Sequence, residues 1–345
     1  MINFQRKILS TFSQNHCGSL NFFRKISSSI ELEAKPFSQL NLSLKNCNVK
    51  IKTADPIVTK ENTMYITYES KLKAPLITNK DNRVDIVHED GGSDLHIDTP
   101  FGVNISLKIQ GDGTASVYSM ESDNVDITTE KGDIEVGKLK SANIKCSTLT
   151  GNIIAKKSVH GNVNFLSESG KIETDRVQGP NIDFCTKKGN IVAKDVYAEE
   201  LLVNSEEGDL VFKSIHGVSD LETANGNIFV GIASGKAQIA AQEGGDIDVF
   251  LSDHTDMFLY SNGGNVQLFN STNNAAKVHL EACKVKLCDG LDHSRLMERT
   301  VGAGTHLIAN LHGGGPPAVV KCGKGSAEVK TLSYFERLGH CNKKF

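Results

Sequence analysis

Glycine returns at a fixed interval through the middle of this chain, and no other feature restricts its fold as strongly. Gly113, Gly132, Gly151, Gly170, Gly189, Gly208, Gly226, Gly245 and Gly264 are spaced by 19 residues, except for one step of 18 between Gly208 and Gly226. From Gly132 onward each sits in the same phrase: TEKGDIEV, TLTGNIIA, SESGKIET, TKKGNIVA, SEEGDLVF, TANGNIFV, QEGGDIDV, SNGGNVQL. With 31 glycines in 345 residues, such a register does not arise by chance. Self-similarity at this period marks stacked repeats, in which each unit buries its apolar face only against its neighbours.

Columns read relative to each glycine define the unit. Two residues after it stand Ile134, Ile153, Ile172, Ile191, Leu210, Ile228, Ile247 and Val266, and four after it Val136, Ala155, Thr174, Ala193, Phe212, Val230, Val249 and Leu268. That spacing of two is a strand with one buried face. Five before the glycine lie Ile127, Cys146, Phe165, Phe184, Val203, Leu221, Ala240 and Leu259, a second strand with the same inward face. The two inward sets differ by an odd number of residues, so a bend must reset the alternation between them. Glycine supplies the positive φ that such a bend often needs, and Asp or Asn follows it in seven of eight repeats as a turn residue. Three before the glycine, Thr129, Thr148, Ser167, Thr186, Ser205, Thr223, Gln242 and Ser261 would stack one rung apart. At about 4.8 Å, those hydroxyls could bond to one another or to the corner backbone. A second column of small residues, Ala142, Gly161, Gly179, Ala198, Gly217 and Gly235, marks another bend. Each unit is thus expected to be two short strands and two corners.

The predicted fold is all-β: a single-stranded parallel β-helix, or β-solenoid, with about 19 residues per coil. A right-handed wind is expected from the hand of parallel crossovers. The coils run from 113 to 335, preceded by a β-rich capping region at 31–112 that lacks the strict period. DGLDHSRLMERT at 289–300 reads as an insertion or short helix. Cys283 falls one period beyond Gly264, and Gly325, Ala327 and Val329 fit the columns again as a final coil. The basic end, 336–345, reads as a disordered tail.

Residues 1–30 differ from the rest. They hold Arg6, Lys7, Arg24 and Lys25, several serines and four phenylalanines, and no acidic residue precedes Glu31. This is the composition of a mitochondrial transit peptide, and the matrix is the expected compartment. Taking those four positive charges away from the net −3 leaves −7. That balance gives no reason to expect a nucleic acid partner. No stretch reaches the eighteen apolar residues of a membrane span. The eight cysteines, Cys17, Cys47, Cys146, Cys185, Cys283, Cys288, Cys322 and Cys341, lack CxxC spacing and read as reduced thiols.

The entry segment PFSQLNLSLKNCNVKI, the stretch IDTPFGVNISLKIQGDGTASV and the G-[DN]-I rungs resemble the "putative adhesin" family of β-solenoid domains over roughly residues 36–270. That family is known mainly from bacteria and is itself of unknown function. An animal branch that this chain resembles, family with sequence similarity 185, is likewise uncharacterised and mitochondrial. The resemblance implies a β-solenoid and transfers no catalytic residue.

No catalytic, cofactor or metal constellation stands out. A β-helix lyase or hydrolase needs clustered carboxylates. Asp133 and Asp209, which share a column with Asp246, lie four coils apart, about 19 Å at 4.8 Å per rung. The absence of Trp removes the usual sugar platforms. Asp246, Asp248, Asp253 and Asp256 offer oxygens for calcium, but RTX-type sites repeat every nine residues. His160 and His216 are three coils, about 14 Å, apart. GKGS at 323–326 lacks the glycine and the Lys-Ser order of a phosphate loop. The expected role is a non-enzymatic scaffold that binds a protein partner or a second copy of itself; the alternative is a carbohydrate-active β-helix enzyme or lectin.

Overall fold

The structure, a computed structural model, describes residues 27–57, 59–69, 74–89, 92, 94–287, 293–301 and 304–341. The predicted transit segment therefore lies outside the described residues up to position 26, while its last four positions begin the strand Ser27–Glu33.

Strands stack in parallel, one coil upon the next. Ile134 pairs with Ile153, Ile153 with Ile172, Ile172 with Ile191 and Ile191 with Leu210, so the aliphatic column is a continuous inward row. Cys146, Phe165, Phe184 and Val203 form a second such row. Phe165 and Phe184 stack in the core with ring centroids 5.5 Å apart.

Each coil has three short sides rather than two. In Ile134–Thr148 the alternation of buried and exposed residues slips at Val136–Gly137 and again at Ala142–Asn143. Lys138 takes a left-handed φ of 50° at the first slip, as Ser119 (53°) and Lys157 (69°) do in adjoining coils. A lysine in that position carries no sequence signature of a bend, which is why the third corner was hidden. The second corner is the small-residue column, where Gly161, Gly217 and Gly235 have φ of 137°, 111° and 96°. The 18-residue step is absorbed there: Tyr197 pairs with His216, but Glu200 pairs with Val218. The coil that opens at Ile228 is likewise one residue short on this side, so Ile239 and Ala241, not Ala240 and Gln242, occupy the inward slots beside Leu259 and Ser261.

The phrase glycines do not serve positive φ. The one positive value among the nine, 157° at Gly189, borders extended backbone. Their reason is close approach. A Cβ on Gly132 would lie 1.7 Å from the carbonyl oxygen of Gly113, and the same clash with the preceding glycine recurs at 2.1 Å for Gly151, 2.0 Å for Gly208 and 2.1 Å for Gly264. The hydroxyl three residues earlier completes a staple. Ser167, Thr186, Ser205, Thr223 and Ser261 donate to the glycine carbonyl one coil before, at 2.8–3.2 Å. The residue after the glycine links coils in the other direction. Oδ1 of Asp133, Asn190, Asp209, Asn227 and Asp246 accepts the backbone N–H of its counterpart one coil on, at 2.7–3.0 Å.

Both ends depart from chain order. The Gly325 corner sits directly on Gly264, and Ser326–Leu332 pairs with Val266–Ser271 on one side and Lys284–Leu287 on the other. The expected final coil is therefore wedged beneath the coil that precedes it in sequence. At the other end, Gln39–Lys45 lies between Arg83–His88 and Asn104–Gln110. Of the segment at 289–300, the described residues are not helical: His293–Val301 is a strand, antiparallel to Gly304–Leu311, and 289–292 lie outside the described residues. The tail expected to be disordered from 336 instead holds the helix Tyr334–Cys341, through Cys341. Arg337 pins that helix. It is 2% exposed, stands over the rings of Phe229 and Phe269 at 4.7 and 4.9 Å, and donates to the Gly231 and Val230 carbonyls and to Asp248.

Candidate functional site

Because the staples consume the phrase residues, any site must come from side chains that point outward between them. One such face is built by the stretch before each corner. Eight residues before successive glycines, Asn124, Asn143, Asn162 and Asn181 form an amide ladder, each Nδ2 donating to the Oδ1 one coil before at 3.0, 3.4 and 3.2 Å. Beside it runs the register row Lys145, Asn164, Asp183, Leu202, Asp220. Two adjoining shallow hollows lie along this face, about 370 and 440 Å³ in volume, and they share Asn164, Asp183 and Leu202.

Leu202 stands 44% exposed in both hollows and Leu166 (38%) lines the second; Val218 (49%) is the register partner of Glu200, two residues before Leu202. Asp183 accepts the Asn164 amide at 2.9 Å, and Glu222 accepts that of Gln242 at 2.8 Å. Burial pushes the Asp183 carboxyl above its usual range; burial and then the neighbouring Glu222 do the same to Asp220. The Cys185 thiol, on the same face, is also pushed up, by burial first and then by Asp183 and Glu206. A raised thiol is a poor nucleophile. The face offers an open apolar floor, amides and carboxylates, and no deep enclosure around a reacting atom.

Residues 11–286 match the family model described as Toastrack DUF4097. The chain belongs to the Toastrack DUF4097 family. Several solved structures are similar over 89% of this Toastrack chain. A "putative adhesin" from Parabacteroides merdae is 10% identical, with 98% of that chain covered and a TM-score of 0.34. A "putative cell adhesion protein" from Clostridium sporogenes is 9% identical, fully covered, with a TM-score of 0.22. A "putative lipid binding protein" from Parabacteroides distasonis is 8% identical, 98% covered, with a TM-score of 0.31. No match was found among curated proteins.

The Toastrack stack disperses the acidic residues considered for chemistry. Asp133, Asp209 and Asp246 are acceptors in the inter-coil staple. Asp248 is paired with Arg337, and Asp256 lies 3.4 Å from Lys236. His216 stacks flat on Tyr197 at 4.5 Å and bonds through Nδ1 to Ser234 at 2.8 Å. Cys146, Cys322 and Cys341 are buried free thiols, and Cys47 is buried as well. The outward asparagine column had a sequence signal, the same period eight residues ahead of each glycine, which a reading confined to inward columns passes over. Arg337 had none, because its partners lie 89 to 107 residues away and occur once.

Proposed function

We propose that this Toastrack chain is a non-enzymatic binding scaffold of mitochondria, imported through residues 1–30, which engages a protein partner or a second copy through the flat face that carries the asparagine ladder. The observation that carries this reading is the division of labour among its polar groups. Those that recur in the phrase hold coil to coil, and the remaining outward rows present an open surface rather than an enclosed site. Mitochondrial placement rests on four basic and no acidic residues among the first thirty, and on the resemblance to the animal branch. The lectin reading keeps one observation, Asn143, Asn162 and Asn181 lining one hollow from successive coils. Their amides are already bonded to each other, which weakens them as sugar ligands.

Two experiments test the proposal. Residues 1–35 fused to a fluorescent protein are expected in mitochondria, and cytosolic fluorescence would overturn the placement. Proximity labelling from the intact protein is expected to mark a reproducible set of proteins. A set no different from that of an inert mitochondrial control would overturn the scaffold.

A further inference from the structure

The groove formed by the two hollows gathers carboxylates that no lysine among the described residues bridges. Elsewhere lysines bridge carboxylates one rung away: Glu121 to Lys140 at 2.6 Å, Asp175 to Lys194 at 2.8 Å, Glu168 to Lys187 at 3.0 Å and Glu207 to Lys188 at 3.3 Å. Asp183, Glu200, Asp220 and Glu222 make no ion pair with any cation among the described residues. Register puts all four around Leu202. Asp183 and Asp220 are its partners on either side, Glu200 precedes it by two on its own strand, and Glu222 follows Asp220 by two. At 4.8 Å per rung and about 3.3 Å per residue, the four lie within about 10 Å of it. Lys145, the lysine that lines the groove, stands three rungs from Leu202.

Carboxylates without a cation around an exposed leucine are half of a contact. The strands beneath are already paired on both sides, so an occupant cannot join by strand addition and must be held by its side chains. An apolar side chain would cover Leu202 and Val218. Cations on either side of it would relieve the Asp183 and Asp220 carboxyls, which burial already disfavours as anions. An anionic partner meets like charge there, and such juxtaposition selects against it. We infer that the groove centred on Leu202 is the docking site for an extended peptide segment of a partner protein that carries lysine or arginine on both sides of an apolar residue. The inference rests on the scaffold reading and names the partner's chemistry.

The test uses the full chain and a fluorescein-labelled synthetic peptide in which lysines flank a Leu-Val pair, with a counterpart bearing glutamate for each lysine. Anisotropy titrations are run for wild type and for Asp183→Asn with Asp220→Asn, which keeps side-chain shape. Glu121→Gln with Glu168→Gln removes the same charge from elsewhere, and thermal melts confirm that all are folded. The lysine peptide is expected to bind wild type and the Glu121/Glu168 variant alike, and the groove variant about tenfold more weakly, as two part-exposed charge pairs allow. The glutamate peptide is expected not to bind. Equal weakening in both variants, no preference for lysine over glutamate, or displacement of the peptide by maltohexaose would each overturn the inference. If the proximity-labelled set persists unchanged in the Asp183/Asp220 variant, the groove is not the docking site and the scaffold reading stands. If wild type labels no specific set, the scaffold itself fails.

Discussion

Gly208→Ala is the sharpest test of why the phrase contains glycine. The added methyl would be built 2.0 Å from the carbonyl oxygen of Gly189, whereas ordinary contact begins at about 3.4 Å. The neighbour is backbone, so the coils must part by more than an ångström at that corner. Three bonds cross there: Gly189 N–H to the Glu207 carbonyl at 2.9 Å, the Ser205 hydroxyl to the Gly189 carbonyl at 3.2 Å, and Asp209 N–H to Asn190 Oδ1 at 2.9 Å. At about 1 kcal/mol net for each, their loss costs about 3 kcal/mol before any strain is counted. Gly339→Ala is the control, since nothing lies within 4 Å of its added carbon and it sits in the helix Tyr334–Cys341. Alanine should be favoured there by about 1 kcal/mol from helix propensity alone. Urea unfolding of the two variants is therefore expected to move the midpoint in opposite directions. Gly208→Asn adds a discriminator: asparagine tolerates left-handed backbone, and it would outperform alanine if φ were the reason. A Gly208→Ala midpoint indistinguishable from wild type, or clear rescue by asparagine, would refute the close-approach account.

Three further outcomes are expected. Ile191→Asp places a carboxylate in a fully buried row, costing several kcal/mol, while Asn190→Ala removes one staple bond worth about 1 kcal/mol; equal melting temperatures would mean the inward face is misassigned. Arg337→Ala is expected to undock the C-terminal helix without melting the solenoid, read as faster maleimide labelling of the buried Cys341 by peptide-resolved mass spectrometry with circular dichroism unchanged. His254 accepts from the Asn274 amide at Nδ1 (3.0 Å) and contacts the Pro316 carbonyl through Nε2 (3.2 Å), and burial is the main cause that holds it below the ordinary value of 6.5. The unfolded chain takes up that proton first, so this stability is complete above about pH 6.5 and lost as pH falls toward the depressed folded value. His254→Gln is expected to flatten the decline of melting temperature between pH 7 and pH 5.5, and an unchanged slope would assign it to other groups such as His216 and His279, which burial also lowers.

The inward rows were legible because burial imposes a period of two on every coil, and repetition averages out local exceptions. Ile134 through Val266 could be placed without knowing what lay above or below them. The purpose of the glycines was not legible, because close approach is a property of two coils and the sequence shows one at a time. The hydroxyl column was read in kind, and its acceptor proved to be the glycine carbonyl of the coil before. Lys138 and Lys157 conceal a corner because a left-handed lysine looks like any surface lysine. The groove around Leu202 was half legible. Its asparagines repeat, but Asp183, Leu202 and Asp220 occupy one row with different chemistry in each coil, and a period cannot announce a row that varies.

The order of the terminal coils was beyond the sequence for a physical reason that also explains what it achieves. The staple is generic: glycine carbonyl, hydroxyl and Asx oxygen fit any neighbouring coil, so Gly325 can stack on Gly264 as well as a coil that follows directly in the chain. A stack built strictly in order would end in a coil whose free chain end frays first. Here the chain lays down Ala276–Ala282 and Lys284–Leu287 as the outer coil and then returns to place Pro317–Cys322 and Ser326–Leu332 beneath it. The mirror image holds at the other end, where Gln39–Lys45 is covered by Arg83–His88 before the chain descends to Asn104–Gln110. The outer coil is therefore an internal segment tethered at both ends. Releasing it frees a closed loop, which gains less entropy than a free tail of equal length. Antiparallel strands then cover the exposed edges, Gly304–Leu311 on Ala276–Ala282 and Thr63–Glu69 on Asp94–Thr99, so neither end presents the parallel edge of a bare coil on those sides. A thin core that could unravel one rung at a time is in this way closed at both ends by chain connectivity, with no additional apolar burial required.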